Sequence, residues 1–594
     1  MTNSQTNTVP NTTSRLNAFT GIARRKNRFR LLPANGDGST LTLDFTTGVL
    51  DPRLTFTRAG NATFINSSGF VQYADANMVV NSVMSGPATP TGWSLVSGGA
   101  GATIPSTGVR RLETTTAAQN WLQNVSNYTT AQGLLYSTTA VITAVSGQHY
   151  QNTMSPTGGA SVVQFYRDGV AVSGASGGAF QTAQPGVITC VWQASSSSGN
   201  GLRIGVGSTG SNVANGVCEF SELRTVPGSY PIAPYFANEN TANPYHAPRF
   251  DHDPTTRAPR GLLVEGQATN ICLNGSMAYT ATAPTSWVRG FSGCTVASVD
   301  STTFPGQKAW SISATASGQR DLLEQVIALA ANTTYTVSVY LEAVTGTVAT
   351  FAYMTSLPAG ATSNTVVNPS AGIISFTVTV AATPGNGTLR IGIGSATGTG
   401  VSADASVRFS HVQVETGSGA SSYIPTGAST ATRNEDSATM AISAAQLGFD
   451  LYRYTMRVRG RQNKFGASFA RSLRLHDAST EQIGLPVNNN TLYGTSRNVS
   501  NNAIAEVSAA ATLNQDFRFA WALDANLATN TMLGSLNQSP LSSSRTATGP
   551  MGSTTTLSFN TNATVTSYAS MTIRDVKFWP RQMTASELNA LTAP

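Results

Sequence analysis

The chain has 594 residues, 40% of them apolar and only 11% charged, against about 25% charged in an ordinary globular protein. That apolar content fills packed cores and excludes a disordered chain, and the length exceeds what one core can organise, so about three or four domains are expected. The formal charge of +7 is concentrated at the two ends. Residues 1–60 hold eight basic and three acidic side chains and residues 441–594 hold thirteen and eight, whereas the stretch between them is net negative. No apolar run approaches the roughly 18 residues of a membrane span.

The first residues, MTNSQTNTVPNTTS, lack the basic-then-apolar layout of a secretory leader. An exterior-type surface without an export signal fits release by cell lysis. Arg24, Arg25, Lys26, Arg28 and Arg30 follow, five positive charges in seven residues. The run reads as a docking arm for an acidic surface, or as a solvated basic linker. Nucleic acid is the third and disfavoured reading: clustered cations do bind phosphates, but charge is sparse elsewhere in the chain.

Residues 61–435 contain a duplication, the strongest signal in the sequence. Asn77-Met-Val-Val-Asn81 and Pro90-Thr-Gly-Trp93 match Asn270-Ile-Cys-Leu-Asn274 and Pro284-Thr-Ser-Trp287. Leu202-Arg-Ile-Gly-Val-Gly207 matches Leu389-Arg-Ile-Gly-Ile-Gly394, and Phe220-Ser-Glu-Leu223 matches Phe409-Ser-His-Val412. Four blocks in one order define two copies of one unit. Within the second copy, Tyr335, Val337, Val339 and Leu341 alternate with polar residues, as do Phe376, Val378 and Val380, the period of half-buried antiparallel strands. Two tandem jelly-roll β-sandwiches are expected, at 61–248 and 249–435. The repeat aligns Cys190 with Phe376, Cys218 with Val407 and Cys272 with Val79, so the cysteines read as small core residues. A Cys190–Cys218 disulfide is the alternative.

The last module, 436–594, differs. Tyr452, Tyr454, Met456 and Val458 form one strand face, and Phe517, Phe519, Trp521 and Leu523 line another. After Met571-Thr-Ile-Arg-Asp-Val-Lys-Phe-Trp-Pro580, Thr584 and Glu587 have capping-box spacing, predicting a short terminal helix that packs Leu588 and Leu591.

Several segments resemble tailed-bacteriophage virion proteins. Phe56-Thr-Arg-Ala-Gly-Asn-Ala-Thr63 through Gly69 is similar to a lead-in of phage tail and fibre proteins. Pro248-Arg-Phe-Asp-His-Asp-Pro254 through Arg260-Gly-Leu-Leu-Val-Glu265 resembles the element that introduces a carbohydrate-binding-module-like jelly roll. Tyr423-Ile-Pro-Thr426 and Ala428-Ser-Thr-Ala-Thr-Arg433 resemble the element that follows one. The final module resembles the laminin-G/concanavalin A-like sandwich through its ending. The resemblance covers about residues 50–594 and implies an all-β, multi-domain virion protein of tail-fibre or head-fibre type, held to the particle by residues 1–60. It also implies homotrimers and other virion proteins, such as portal, collar, tail or capsid, as partners.

Among candidate sites, Arg453, Arg457, Arg459 and Arg461 fall on one strand face, where guanidinium groups suit acidic glycans or lipopolysaccharide phosphates. An exposed strand face or a subunit interface is the plainer reading. Trp93 and Trp287 recur in both copies and are either packing anchors or platforms for a sugar ring. His246 and His252 lie close to Asp251 and Asp253, more in keeping with a hydrogen-bonded junction than with a metal site. Asp251, Asp253 and Glu265 offer oxygens for a structural calcium, although no cofactor is expected. There is no nucleophile elbow, phosphate loop or HExxH, so the chain is expected not to be an enzyme. It reads first as an adhesin for host surface glycans, then as a purely structural head, collar or tail decoration, and last as a polysaccharide depolymerase.

Overall fold

The computed structural model describes residues 35–594 except 98–101, 116–117, 119, 125–129, 131–133, 147–151, 158–159, 174–184, 195–200, 207–214, 240–243, 277–285, 292, 395–400, 449–451, 466–469, 478–480, 489, 499, 501–502, 525–529, 546–553 and 560–568. The five basic residues Arg24, Arg25, Lys26, Arg28 and Arg30 therefore lie outside the described residues. The described chain is all-β apart from one helix, Ala585–Leu591. That helix is too short to cross a membrane, and no other helix among the described residues is long and apolar enough to do so.

The duplication is visible strand by strand. In the first copy one sheet runs Val170–Val172, Ala160–Arg167, Gly186–Ala194, Leu135–Ser146, Val217–Pro227, Arg110–Glu113, Ala102–Thr103. In the second the order is Thr362–Ser363, Gly372–Thr379, Thr334–Thr345, Ser406–Thr416, Lys308–Ser313, Thr295–Asp300. The facing sheets also correspond: Asn152–Thr157, Gly201–Val206, Asn120–Asn124 and Trp93–Ser97 against Thr350–Thr355, Gly385–Ile393, Asp321–Leu329 and Val288–Arg289. Even the irregularities recur. The central pairing breaks register between Thr139 and Val141 and between Ile142 and Ala144 in one copy. In the other it breaks between Ser338 and Tyr340 and between Leu341 and Ala343. The first bulge places Glu222 at φ 49° and His411 at φ 54°. What that position needs is a left-handed backbone, which explains how two such different side chains occupy it.

A buried asparagine latches each copy. Asn77 Nδ2 donates to Leu223 O and Phe236 O while its Oδ1 accepts from Val79 N and Thr225 N. Asn270 does the same with Val412 O, Ile424 O, Cys272 N and Val414 N. With its amide satisfied on both sides, the group sits in the core without the cost of an unpaired dipole.

The third sandwich draws strands from distant parts of the chain. One of its sheets runs Arg249–His252, Pro259–Glu265, Ser570–Trp579, Arg453–Lys464, Asp516–Asp524, Asn530–Leu536, Ser539–Arg545, with Leu41–Asp44 also on Ser570–Trp579. The other runs Thr55–Thr57, Ser437–Ala441, Thr556–Phe559, Ala470–His476, Glu481–Asn488, Thr491–Arg497, Ala503–Ala510. Leu41, Leu43, Phe45, Leu54, Leu262 and Val264 thus share one core with Tyr454, Met456, Val458, Phe519 and Trp521, each buried aliphatic or Phe side chain contributing about 1.5–3 kcal/mol. Residues 41–57 and 249–265 belong to this sandwich, although the sequence reading assigned them to an N-terminal segment and to the second jelly roll. The reason is the edge of Ser570–Trp579, which Leu41–Asp44 and Pro259–Glu265 cover end to end along residues 575–578 and 570–573. The helix carries the expected capping box, Thr584 Oγ1 accepting from Glu587 N and Glu587 Oε2 accepting from Thr584 N. It buries Leu588 with Leu591 alongside.

Candidate functional site

The lead-in elements converge at the junction of the sandwiches. Strand alternation turns Arg249 and Asp251 inward from the Arg249–His252 strand. Arg249 is fully buried, with Nη1 donating to Thr63 O at 2.8 Å, Glu265 Oε2 at 2.6 Å and Ser422 Oγ at 2.7 Å, and Nη2 donating to Asp436 Oδ2. Arg58 donates to Asp436 Oδ1 at 3.0 Å, Gly60 O and Ala247 O. Arg433 lies 3.0 Å from Glu265 Oε2 and donates to Gly266 O. Three guanidiniums therefore face two carboxylates with no solvent between them. Burial opposes the Glu265 charge, yet Arg433, Arg249 and Ser422 hold its carboxyl well below the usual range. Arg58 is pushed down to about 10, by burial first and then by its cationic neighbours against the pull of Asp436.

This network also answers the calcium reading. Glu265 is engaged by Arg249 and Arg433. Asp253 accepts from Thr255 N and Thr256 N and pairs with Arg260 at 2.7 Å. Asp251 accepts from Ile65 N. Among the described residues no three His, Cys, Asp or Glu side chains group as metal ligands do. His246 is buried, and His252 Nδ1 sits 3.0 Å from Phe250 O.

A cleft opens beside the network, its inner part between the second jelly roll and the third sandwich and its outer part on the third sandwich alone. Its inner part, about 420 Å³, is walled by Asp251, Ser338, Tyr340, Ser422, Asn463 and Asn514. Its outer part, about 260 Å³, is walled by Arg459, Asp516, Arg518 and Arg574, and Asp253, Arg260 and Arg461 line both parts. Five arginines thus surround the outer cleft against two carboxylates. Two of the arginines read from the sequence lie here. Arg459 shares Asp575 with Arg457, and Arg461 reaches Asp516 at 3.5 Å. Arg453 pairs with Asp524 at 3.4 Å and does not line the cleft. Burial, and then the neighbouring Arg260, push Arg461 down from the ordinary arginine value against the pull of Asp516 and Asp253.

Arg260, Arg518 and Arg574 were missed in sequence. Among the described residues neither Arg518 nor Arg574 has a carboxylate within ion-pair distance of its guanidinium. The available signal was register: Arg459 lies directly across from Arg518, so both point from one sheet face. Arg260 and Arg574 arrive through non-local pairing, which no spacing announces.

Trp93 and Trp287 are 6% and 4% exposed, lie in the jelly-roll cores, and donate their indole N–H groups to Val80 O and Leu273 O. No ring face is left for a sugar. All four cysteines are free and buried. Cys190 and Cys218 sit on strands separated by Leu135–Ser146, facing Thr138 and Val145, beyond the reach of a disulfide.

No family model matches the chain, and no curated protein matches it. Among solved structures, the receptor binding domain of a botulinum neurotoxin C/D mosaic serotype is 11% identical over 26% of this chain and 40% of its own, with a TM-score of 0.22. The binding domain of serotype C1 is 13% identical over the same shares with a TM-score of 0.23. The chain spans about two fifths of the solved chains it matches.

Proposed function

We propose that this chain is a non-enzymatic virion protein of fibre or adhesin type, anchored to the particle through its basic N-terminal segment, that contacts acidic glycans of the host surface through the arginine cleft. The carrying observation is that Arg518 and Arg574 line one cleft wall with no carboxylate within ion-pair distance among the described residues, beside Arg260, Arg459 and Arg461, which pair with Asp253, Asp575 and Asp516. Arginine forks pair bidentately with carboxylate and phosphate, and the buried network beneath keeps the wall rigid, which lowers the ordering cost of binding. The phage-like motifs add weight, because Arg58, Arg249, Glu265 and Arg433 from three of them meet in that network.

The test is titration of the full chain with lipopolysaccharide, a polyuronate and a neutral dextran. Acidic ligands should bind with an affinity that falls with salt, and the Arg518→Ser/Arg574→Ser double variant should lose most of it. Equal binding of dextran, or no change in the double variant, overturns the reading. A second reading, a structural decoration without receptor binding, is favoured by the ion pairs that already neutralise Arg453, Arg457 and Arg459. Normal adsorption by particles lacking the protein would select it. Homotrimeric assembly belongs to the same proposal and is read by light scattering.

A further inference from the structure

On the other side of the buried network lies a second cavity, of about 650 Å³, lined among others by Phe56, Tyr245, His246, Gln267, Asn434 and Glu435. It shares no residue with the arginine cleft. Its walls come from four regions of the chain. Tyr245 and His246 form a two-stranded pair with Ala76 and Asn77, and alternation leaves Tyr245 37% exposed while His246 is 7% exposed. Gln267 follows Glu265 by two residues, and Asn434 and Glu435 separate Arg433 from Asp436. The fixed network therefore holds several wall residues in place.

Two buried polar atoms of wall residues, His246 Nδ1 and Glu435 Oε2, have no partner among the described residues. Buried groups left bare in this way are rare and costly. Burial, with Arg58 adding to it, pushes the His246 imidazole down to about 3, so it stays neutral at ordinary pH. Burial and then Asp436 raise the Glu435 carboxyl.

We propose that this cavity is a binding site for a neutral sugar ring, separate from the arginine cleft and unlike it in specificity. The exposed Tyr245 ring offers an apolar face, and Phe56 adds part of a second. The amides of Gln267 and Asn434 present donors and acceptors to ring hydroxyls. An anion is disfavoured because Glu435 faces the cavity while Arg58 is consumed by Asp436, Gly60 O and Ala247 O. A cation is disfavoured because the Arg58 guanidinium already lies 5.5 Å from the centre of the Phe56 ring.

Saturation-transfer NMR on the full chain tests this, with methyl glucoside, methyl galactoside and N-acetylglucosamine as neutral probes, glucuronate as the anion and choline as the cation. At least one neutral probe should show transfer, with a dissociation constant on the order of 1 mM. Tyr245→Ala should weaken it at least about tenfold, Tyr245→Trp should preserve it, and circular dichroism should show both variants folded. The Arg518→Ser/Arg574→Ser variant should bind the neutral probe unchanged, so this site and the acidic-glycan cleft stand or fall separately. Silence from every neutral probe, equal binding in Tyr245→Ala, or a response confined to glucuronate or choline overturns the proposal.

Discussion

Replacing Glu265 with Ala removes the carboxylate that Arg249 and Arg433 share, in a place where all three side chains are 0–1% exposed. Neither guanidinium can turn to water, and Arg249 Nε and Arg433 Nε already lack partners among the described residues. Breaking a buried pair in this way costs about 3–5 kcal/mol, most of it the charge left uncompensated. The Ser422 and Ser570 hydroxyls lose the carboxylate that accepts their protons as well. Because the network joins residues 58, 249, 433 and 436, with Ser570 donating to Glu265, the loss should also uncouple the sandwiches. Urea unfolding followed by tryptophan fluorescence should show a lower first midpoint and a second transition that the parent lacks. The control is Arg453→Ala, whose 50%-exposed side chain pairs with Asp524 at 3.4 Å and should cost at most about 1 kcal/mol. A Glu265→Ala midpoint no lower than that of Arg453→Ala would refute the network as the joint of the molecule.

Three further outcomes are expected. Burial depresses the pKa values of His246 and His411 to about 3. The unfolded chain therefore binds more protons below about pH 6.5, and the stability that the neutral imidazoles supply is lost as pH falls from there toward 3. His246→Gln should flatten part of that slope in denaturation midpoints measured across the window, and an unchanged slope would contradict it. Burial raises all four cysteine thiols, Cys294 to about 11, so a thiol reagent should label none in the native protein and four after denaturation; native labelling of Cys190 or Cys218 would contradict the core assignment. A Cβ on Gly205 or Gly392 would lie 2.2 Å from Asn120 O or Asp321 O, so Gly205→Ala and Gly392→Ala should each lower the midpoint by the equivalent of about 2–4 kcal/mol; a neutral effect in both would refute the shared close approach.

What the sequence determined by itself was local or internally repeated. Period-2 alternation revealed the buried faces at Tyr454, Met456 and Val458 and at Phe517, Phe519, Trp521 and Leu523, because a strand's two faces are written in successive residues. The repeat assigned Cys190, Cys218 and Cys272 to core positions, because two copies of one fold impose the same packing twice. The Thr584–Glu587 spacing announced the helix, since a capping box is local. Tertiary structure alone decided which strands meet. Leu41–Asp44 and Pro259–Glu265 read as lead-ins to other modules, yet both complete the edge of Ser570–Trp579, a pairing across hundreds of residues that leaves no periodic trace. For the same reason the arginine row was legible on one strand, while Arg260, Arg518 and Arg574 joined it only through sheet register and a hairpin from elsewhere in the chain. The burial of Trp93 and Trp287 followed likewise from the opposing sheet, because an aromatic ring is a platform or an anchor according to what packs on its face.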